Sequence, residues 1–430
     1  MKSVKFFVFF GMLILFNDFN TIAQTFSNLG SGLSNYPRTM FSDTSTGILY
    51  VGGDFLDAGG ISVQHIAKWN GLNWDSLSGS VFWNVKDIEK YKDTIYAVSD
   101  YPGGVQKWDG TIWKDIGNTL NVAAYGLFAT DSNLYISGWF DTIGGVNSRY
   151  IARYDGNSIT SYQSFADPGW GANNSIIYNN DLYIAGNFEN TQNPLISDMA
   201  YLQNSSWLPI VNGIQSSFGN VNCFTIFQNK LVIGGTFQIT WGDPGNSILM
   251  WDGTSLTQPG SGINGDVWAM IVYNNELYVG GSITSPGGQY GTNLLKWDGS
   301  QWIDLNLIFN NAVSSLAVMN NELYIGGAFT QVNGVQISRI MKLTLPVNDQ
   351  IIEDEPRFAI YPNPSKGKIY FNRILPSTAI VKLLDASGRL ILTSTLSYEL
   401  DINGVENGIY VLKVYENETD VYHKNVVIIN

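Results

Sequence analysis

Asp54 and Asp57, three residues apart beside Gly52-Gly53, and Asp141 in a related phrase are the carboxylates of this 430-residue chain that could supply an acid and a base for sugar hydrolysis. Two carboxyl groups flanking a glycosidic bond are the minimum apparatus for that reaction. Other chemistry has little material. His65 and His423 are the only histidines and lie far apart, which leaves nothing for a histidine-rich metal site or a Ser-His-Asp constellation. Cys223, the single cysteine, sits in the apolar run VNCFTIF and reads as a small buried hydrophobe. No catalytic, metal or cofactor site is therefore expected. A different chemistry is available to Tyr125, Trp139, Trp170, Trp241 and Trp268. Their rings could stack on sugar faces while neighbouring Asn, Ser and Asp bond the edges.

Those residues must be positioned by a repeat. An apolar residue, usually Tyr, a β-branched residue, one or two glycines and often Phe recur as LYVGGDF from Leu49, TIYAVSD around Ile95, LYISGWF from Leu134, LYIAGNF from Leu182, LVIGGTF from Leu231, LYVGGSI from Leu277 and LYIGGAF from Leu323. Successive starts are 46, 39, 48, 49, 46 and 46 residues apart. A period in the forties with four short strand-like runs per unit is the signature of a β-propeller.

The unit Val267–Leu305 shows how one repeat becomes a blade. Val267–Tyr273 and Glu276–Gly281 flank Asn274-Asn275, and asparagine tolerates the positive φ of a tight hairpin. Asn179-Asn180 and Asn320-Asn321 stand at the same place. Leu294–Trp297 then meets Asp298-Gly299, and a fourth strand starts at Trp302. No helix N-terminus follows Gly280-Gly281, so these glycines are expected to let backbone approach backbone rather than to cradle phosphate. Trp69, Trp108, Trp251 and Trp297 share one repeat position, and Trp74, Trp113, Trp207 and Trp302 follow five residues later. At a structural period such rings are expected to fill the space between blades. One position just before the apolar part of each first strand varies instead: Lys86, Tyr125, Asn173, Asn222, Trp268 and Ser314. Variation among repeats is where a site is expected.

Both ends of the repeat region are incomplete. Thr25–Leu33 matches a fourth strand, whereas the last unit stops after Ile340–Leu343 without one. An unpaired edge invites aggregation. The expected fold is all-β: a seven-bladed propeller over 25–345, closed by the N-terminal strand, with a small C-terminal β-sandwich. The order Gly-Gly, Trp/Tyr-Asp-Gly and Trp resembles kelch and galactose-oxidase-type repeats, and is closer still to those of fungal cortical polarity-marker proteins. The likeness speaks for fold and only weakly for activity. A sialidase-type arginine cluster is missing, since 25–345 holds only Arg38, Arg149, Arg153 and Arg339. The histidine ligands of galactose-oxidase-like copper chemistry are missing too.

The chain ends read as addresses. Lys2 and Lys5, the apolar run Phe6–Phe16 and Thr21-Ile22-Ala23 compose a signal peptide over 1–23, its apolar run too short for the ~20 residues that span a bilayer. No transmembrane segment is expected in the mature chain. Residues 346–356 form an acidic, proline-bounded linker. The domain over 357–430 then carries Tyr361-Pro362-Asn363-Pro364, Gly367, Asp385-Ala386-Ser387-Gly388-Arg389, Asn407-Gly408-Ile409-Tyr410 and Lys424-Asn425-Val426-Val427. These runs resemble the C-terminal sorting domain of the type IX secretion system. The resemblance implies the type IX machinery as partner and export to the extracellular space or outer-membrane surface of a Gram-negative bacterium.

Residues 25–345 contain 13 Lys and Arg against 24 Asp and Glu, a net charge of −11, which does not suit nucleic acid or an anionic membrane. Two functions from different classes fit. One is a secreted or surface non-catalytic module binding a glycan or a protein partner; the other is a polysaccharide hydrolase or lyase with its site on one propeller face.

Overall fold

A computed structural model describes residues 25–345 and 360–429, apart from 78, 80–82, 101–103, 117–121, 163–170, 190–192, 194–195, 211–219, 239–245, 285–292, 372–378, 386–387, 396–398 and 417–418. The signal peptide, the linker, Trp170, Trp241, Ala386 and Ser387 lie outside the described residues. The chain divides into two compact units, Met1–Pro346 and Val347–Asn430.

Among the described residues every regular element is a strand, and the first unit contains seven four-stranded antiparallel sheets, first to seventh in the chain order of their leading strands Pro37–Asp43, Val85–Tyr91, Ala123–Ala129, Gly171–Tyr178, Asn220–Phe227, Asn264–Tyr273 and Val313–Met319. The sixth shows the rule: Asn264–Tyr273, Glu276–Thr284, Leu294–Trp297 and Trp302–Asp304 pair in sequence order. Asn274 and Asn275 turn the first hairpin with φ of 50° and 58°. Lys92-Asp93 and Gln228-Asn229 adopt the same left-handed pair without the favoured residue types at every position. In the second hairpin the Asp298 carboxylate accepts the N–H groups of Ser300 (2.7 Å) and Gln301 (2.8 Å), an arrangement repeated at Asp109, Asp155 and Asp252. The seventh sheet takes its fourth strand from the other end of the unit: Thr25–Asn28 lies antiparallel to Ile340–Thr344, with Thr25 opposite Thr344 and Asn28 opposite Met341. Among the described residues no sheet closes on itself.

Each sheet buries its faces against other sheets. Tyr273, Tyr278 and Leu294 of the sixth share a core with Val313, Leu323 and Ile325 of the seventh. Ala317, Met319 and Tyr324 of the seventh share one with Leu49, Val51 and Trp69 of the first. The repeat tryptophans pack in these layers as cross-strand pairs: Trp69 with Trp74, Trp108 with Trp113 and Trp297 with Trp302, their ring centroids 5.2–5.4 Å apart. Trp74 also donates its indole N–H to the carbonyl of Leu29 at 2.8 Å, which ties the first sheet to the N-terminal strand's continuation. A Cβ on Gly280 would meet Val313 of the next sheet, and one on Gly281 would meet the Asp266 backbone, so close approach demands this glycine pair.

In the second unit seven strands form one hydrogen-bonded sheet rather than two separate ones. Ile360–Lys366, which carries the Tyr361-Pro362-Asn363-Pro364 motif, explains the difference. It pairs with Lys368–Phe371 through Ile360 and Tyr361 at one end and Lys366 at the other, and with Thr419–Ile428 through Ser365. A strand with a partner on each side joins the two groups of strands into one ladder. Ile369, Phe371 and Leu400 from one group and Val381, Leu412 and Val426 from the other pack in a single core. Gly367 and Gly388 have φ of 71° and 85°, and Tyr410 donates its hydroxyl to the Glu406 carbonyl at 2.8 Å. Lys424 lies in the last strand, and Gly408 opens the strand before it.

Deleting Thr25–Leu33 strips the edge of Ile340–Thr344 and removes the buried Leu29 and Leu33. Each lost leucine contributes roughly 2–5 kcal/mol. The truncated chain is expected to associate and to melt lower. A monomer by light scattering with unchanged melting would refute this role for the strand.

Candidate functional site

The leading strands of the seven sheets share one irregularity. In each the pairing register slips by one residue at the same place, and the residue skipped is Arg38, Lys86, Tyr125, Asn173, Asn222, Trp268 and Ser314 in turn. A β-bulge turns its extra side chain out of the regular alternation. All seven of these side chains line one cavity of about 1350 Å³. Six of them are the variable positions of the sequence. Arg38 is the seventh, hidden because Pro37 stands where other repeats place a β-branched or small apolar residue.

Two bulge residues stitch neighbouring sheets together. Asn222 donates its amide to the Val267 carbonyl at 3.0 Å, and Ser314 donates its hydroxyl to the Pro37 carbonyl. The residue after the position of the glycine pair, which is Val98-Ser99, Ser137-Gly138 and Ala185-Gly186 in three of the repeats, supplies the next layer of lining: Asp100, Trp139, Asn187, Thr236 and Ala328. Trp139 and Trp268 are 37% and 40% exposed, so their rings remain accessible in the cavity. Tyr125 is half-buried there, and burial first, then the charge of Asp100, raises its phenol above the usual range. Three of the five expected ligand aromatics thus converge.

The charged groups of the lining are engaged. Arg38 holds Asp54 with two 2.8 Å hydrogen bonds and its guanidinium lies over the Tyr36 ring, 5.1 Å from the centroid. Burial works against ionisation of Asp54, but the bonds from Arg38 and Tyr36 prevail and hold its carboxyl below the usual range. Lys86 pairs with Asp100 at 2.9 Å, and Asn84 bonds the same carboxylate oxygen at 2.9 Å. None of the three carboxylates weighed for hydrolysis lines the cavity: Asp54 stands behind Arg38, Asp57 accepts from Gly60 N–H at 3.1 Å, and Asp141 pairs with Arg149 at 2.6 Å. Cys223 does line it, but burial pushes its thiol up to about 12 and no thiolate is present at neutral pH.

Sequence reasoning missed Asp87 and Glu89, because KDIEK reads as a solvated charged run. Asp87 also lines the cavity. It joins three sheets: Thr39 of the first donates to it at 3.1 Å, Ile88 of its own strand at 2.9 Å and the Leu127 N–H of the third at 2.8 Å. Burial nevertheless raises its carboxyl to about 6. Glu89 stands opposite Tyr96, where other sheets set Phe41, Phe128, Ile176 or Ile271 opposite a tyrosine. Burial, and secondarily the charge of Asp87, raises it to about 8. Both groups keep part of their own surface, yet protein rings them, and the surrounding protein sets the cost of charge.

Comparison with known proteins separates the two units. Residues 359–429 match the family described as Secretion system C-terminal sorting domain. The match marks the chain for type IX export to the cell surface or extracellular space. A search of curated proteins found no match. Among solved structures, the chain is similar to the extracellular domain of BT4673 from B. thetaiotaomicron, described as a one component system, at 14% identity and TM-score 0.50. It is also similar to the extracellular domain of BT3049 from the same bacterium, described as a hybrid two component system, at 12% identity and TM-score 0.51. The alignments cover 95% and 94% of this chain but 58% and 49% of those chains, so it spans between about half and three fifths of their length. This likeness is one of fold. No helix among the described residues is long and apolar enough to cross a membrane.

The two raised carboxylates give a pH dependence of definite sign. The folded state binds their protons more tightly than the unfolded chain, whose carboxylates titrate near 4. Their destabilising contribution is absent below about pH 4 and grows as pH rises through about 6 and about 8. Asp43 works the other way: hydrogen bonds from Ser45 and Lys90 outweigh burial and hold it at about 2, so its stabilisation goes as pH falls through that value. The melting temperature is expected to decline from pH 5 to pH 9, and Glu89→Gln to flatten the decline and stabilise by roughly 2 kcal/mol at pH 9. A variant with the wild-type slope, or less stable than wild type at pH 9, contradicts the assignment.

Proposed function

We propose that residues 25–345 are a closed seven-bladed propeller whose cavity binds a glycan, and that the chain is a non-catalytic binding module. In this reading residues 1–23 are a signal peptide, 346–356 a linker and 357–430 the domain that engages the type IX machinery. Closure is supported by the shared core of the first and seventh sheets, by the bond from Ser314 to Pro37 and by the strand Thr25–Asn28. The kelch-like repeat order agrees with the same architecture.

The observation that carries the binding reading is the convergence of all seven bulge side chains on one cavity, with Trp139 and Trp268 left accessible beside Asn173, Asn187 and Asn222. Large concave sites lined by aromatic rings with a few polar groups are ligand sites, and sugars fit rings on their faces and amides at their edges. Hydrolysis is the weaker reading on geometry. Asp54 is clasped by Arg38, Asp100 by Lys86 and Asn84, and Asp87 by three donors from three sheets. A carboxylate whose lone pairs are spent on structure is poorly placed to move a proton to a glycosidic oxygen.

Two measurements test this. Trp139→Ala and Trp268→Ala are each expected to weaken a glycan found by array screening by about 2- to 12-fold, for a ring contact of roughly 0.5–1.5 kcal/mol, with melting preserved. Trp297→Ala removes a buried core ring and is expected to cost about 3–5 kcal/mol of stability. If the cavity variants destabilise as much as Trp297→Ala, their rings are core and the binding face is lost. Separately, removing 357–430 is expected to leave the protein in the periplasm, and undiminished surface display of that truncation would contradict the sorting role.

A further inference from the structure

The motif residues of the second unit whose surroundings are described serve its fold. Gly367 and Gly388, with φ of 71° and 85°, stand between paired strands, and Tyr410 is buried with its hydroxyl on the Glu406 carbonyl. Such residues shape the domain without presenting a surface. Recognition of the folded domain therefore needs other side chains.

The two groups of strands differ on the side turned away from the core. Beside the buried Ile369 and Leu400, the strands Lys368–Phe371 and Glu399–Asp401 alternate with Lys368, Tyr370, Glu399 and Asp401, and Lys368 pairs with Glu399 at 2.6 Å. That is the ordinary polar outside of an antiparallel sheet. The strands Ile380–Asp385, Leu390–Ser394 and Gly408–Glu416 break the rule. Val381, Leu383, Leu412 and Val414 fill the core, yet the positions that alternate with them include Ile380, Leu384, Ile409 and Val411. Cross-strand register sets these in rows: Leu384 lies opposite both Leu390 and Val411, and Ile409 lies opposite Val427. Leu390 is 50% exposed, Ile409 64% and Ile380 37%. One such residue is ordinary, but adjacent rows of them across three strands form a patch of the kind that marks a protein interface.

Charge narrows the occupant. Lys382 and Lys413 stand directly opposite each other within this face, and the Lys382 Nζ lies 4.8 Å from the centre of the Tyr415 ring. Like charges in register across a ladder oppose the pairing, and an approaching carboxylate relieves them. Among the described side chains of the face these two are the only charged ones.

We propose that this face is the surface by which the type IX machinery grips the folded domain, an inference that rests on the sorting role above. Residues 359–429 match a secretion sorting family, so this unit has a protein partner to meet. The occupant is a protein of that machinery that sets apolar side chains against Leu384, Leu390 and Ile409 and carboxylates against Lys382 and Lys413. A partner strand added along the outer edge of Leu390–Ser394 would bond the backbone there and leave Ile409, two strands further in, untouched.

The test follows the full chain in a Gram-negative host that carries a type IX system, comparing the amount at the surface and in the medium with the amount held in the periplasm. Ile409→Ser is expected to lower the exported share ~3-fold, and Leu390→Ser combined with it ~10-fold or more, the scale on which anchoring side chains count in an interface. Lys382→Glu with Lys413→Glu is expected to lower it ~3-fold or more. Tyr370→Ser, on the other group of strands, is expected to export as wild type. Melting curves and protease resistance of the retained chain identify a variant that fails to fold, and the lysine pair, which leaves the apolar rows intact, then decides. Wild-type export of the folded face variants, or an equal loss in Tyr370→Ser, overturns the inference and leaves the sorting role standing. Export that falls for Leu390→Ser alone but not for Ile409→Ser points to edge addition and equally overturns it. Undiminished export of a chain lacking 357–430 overturns both.

Discussion

Every sheet of the first unit is apolar on both faces, and a four-stranded sheet has no means of burying either face by itself. That constraint governs the rest. The sheet around Val279 presents Leu277 and Val279 to the fifth sheet's Val232 and Ile248, and Tyr278 to the seventh sheet's core. Each sheet therefore needs two neighbours, and a finite row would leave an apolar face bare at either end. Met319 and Tyr324 of the seventh sheet share a core with Leu49 and Val51 of the first. Thr25–Asn28 completes the seventh sheet and leads directly into Leu29 and Leu33, which belong to that same core. Edge pairing and face burial are thus settled by one segment.

The site follows from the way the sheets crowd. Leading strands pair on one side only, and those of neighbouring sheets come together around the cavity. Regular alternation would direct their side chains into the layers between sheets. The bulge is what frees one side chain per strand, because an extra residue in the ladder bends the strand and re-aims what it carries. The glycine pair on the second strand is the other half of the device: Gly281 lets the bulged backbone of Asp266 and Val267 approach, and Gly280 leaves room for Val313 of the next sheet. The bulge recurs in all seven sheets, and small residues stand opposite it in most, with Val98 and Ser99 in the second the exception. The side chain at the bulge itself is not held small, and it ranges from Arg38 through Trp268 to Ser314.

Much of this was legible in the sequence for that reason. A structural period announces itself by repetition, so the strands, the Asn-Asn turns, the paired tryptophans and the complementary chain ends could be read directly. The cavity lining was legible as the residue that breaks the pattern, which found six of the seven bulge positions and Tyr125, Trp139 and Trp268. Arg38 escaped because Pro37 disguised the frame of its repeat. Asp87 and Glu89 escaped for a deeper reason. A charged side chain in a β-rich run looks solvated until the sheets on both sides of it are known, and only the donors Thr39 and Leu127, 48 and 40 residues away, reveal the burial. In the second unit the strand runs were legible, but the pairing of Ile360–Lys366 with a strand on each side depends on contacts that no local pattern encodes.

Asp87 shows why a carboxylate is retained at so unfavourable a place. Its strand edge faces the next leading strand, whose Leu127 N–H lies just past a bulge and has no ladder partner on that side. A buried N–H without an acceptor is costly, and an apolar residue at position 87 would leave it so. The carboxylate answers that donor, its own strand's Ile88 N–H and the Thr39 hydroxyl at once, with two oxygens. Desolvation opposes the charge, and three donors restrain the opposition, so the group settles at about 6 rather than far higher. The same bonds fix the second sheet between the first and the third, which holds Lys86 and Tyr125 at set positions in the lining. A neutral amide there would have to turn one of its ends into a donor facing donors. The polarity of the lining around Lys86 is therefore a consequence of how strand edges are satisfied.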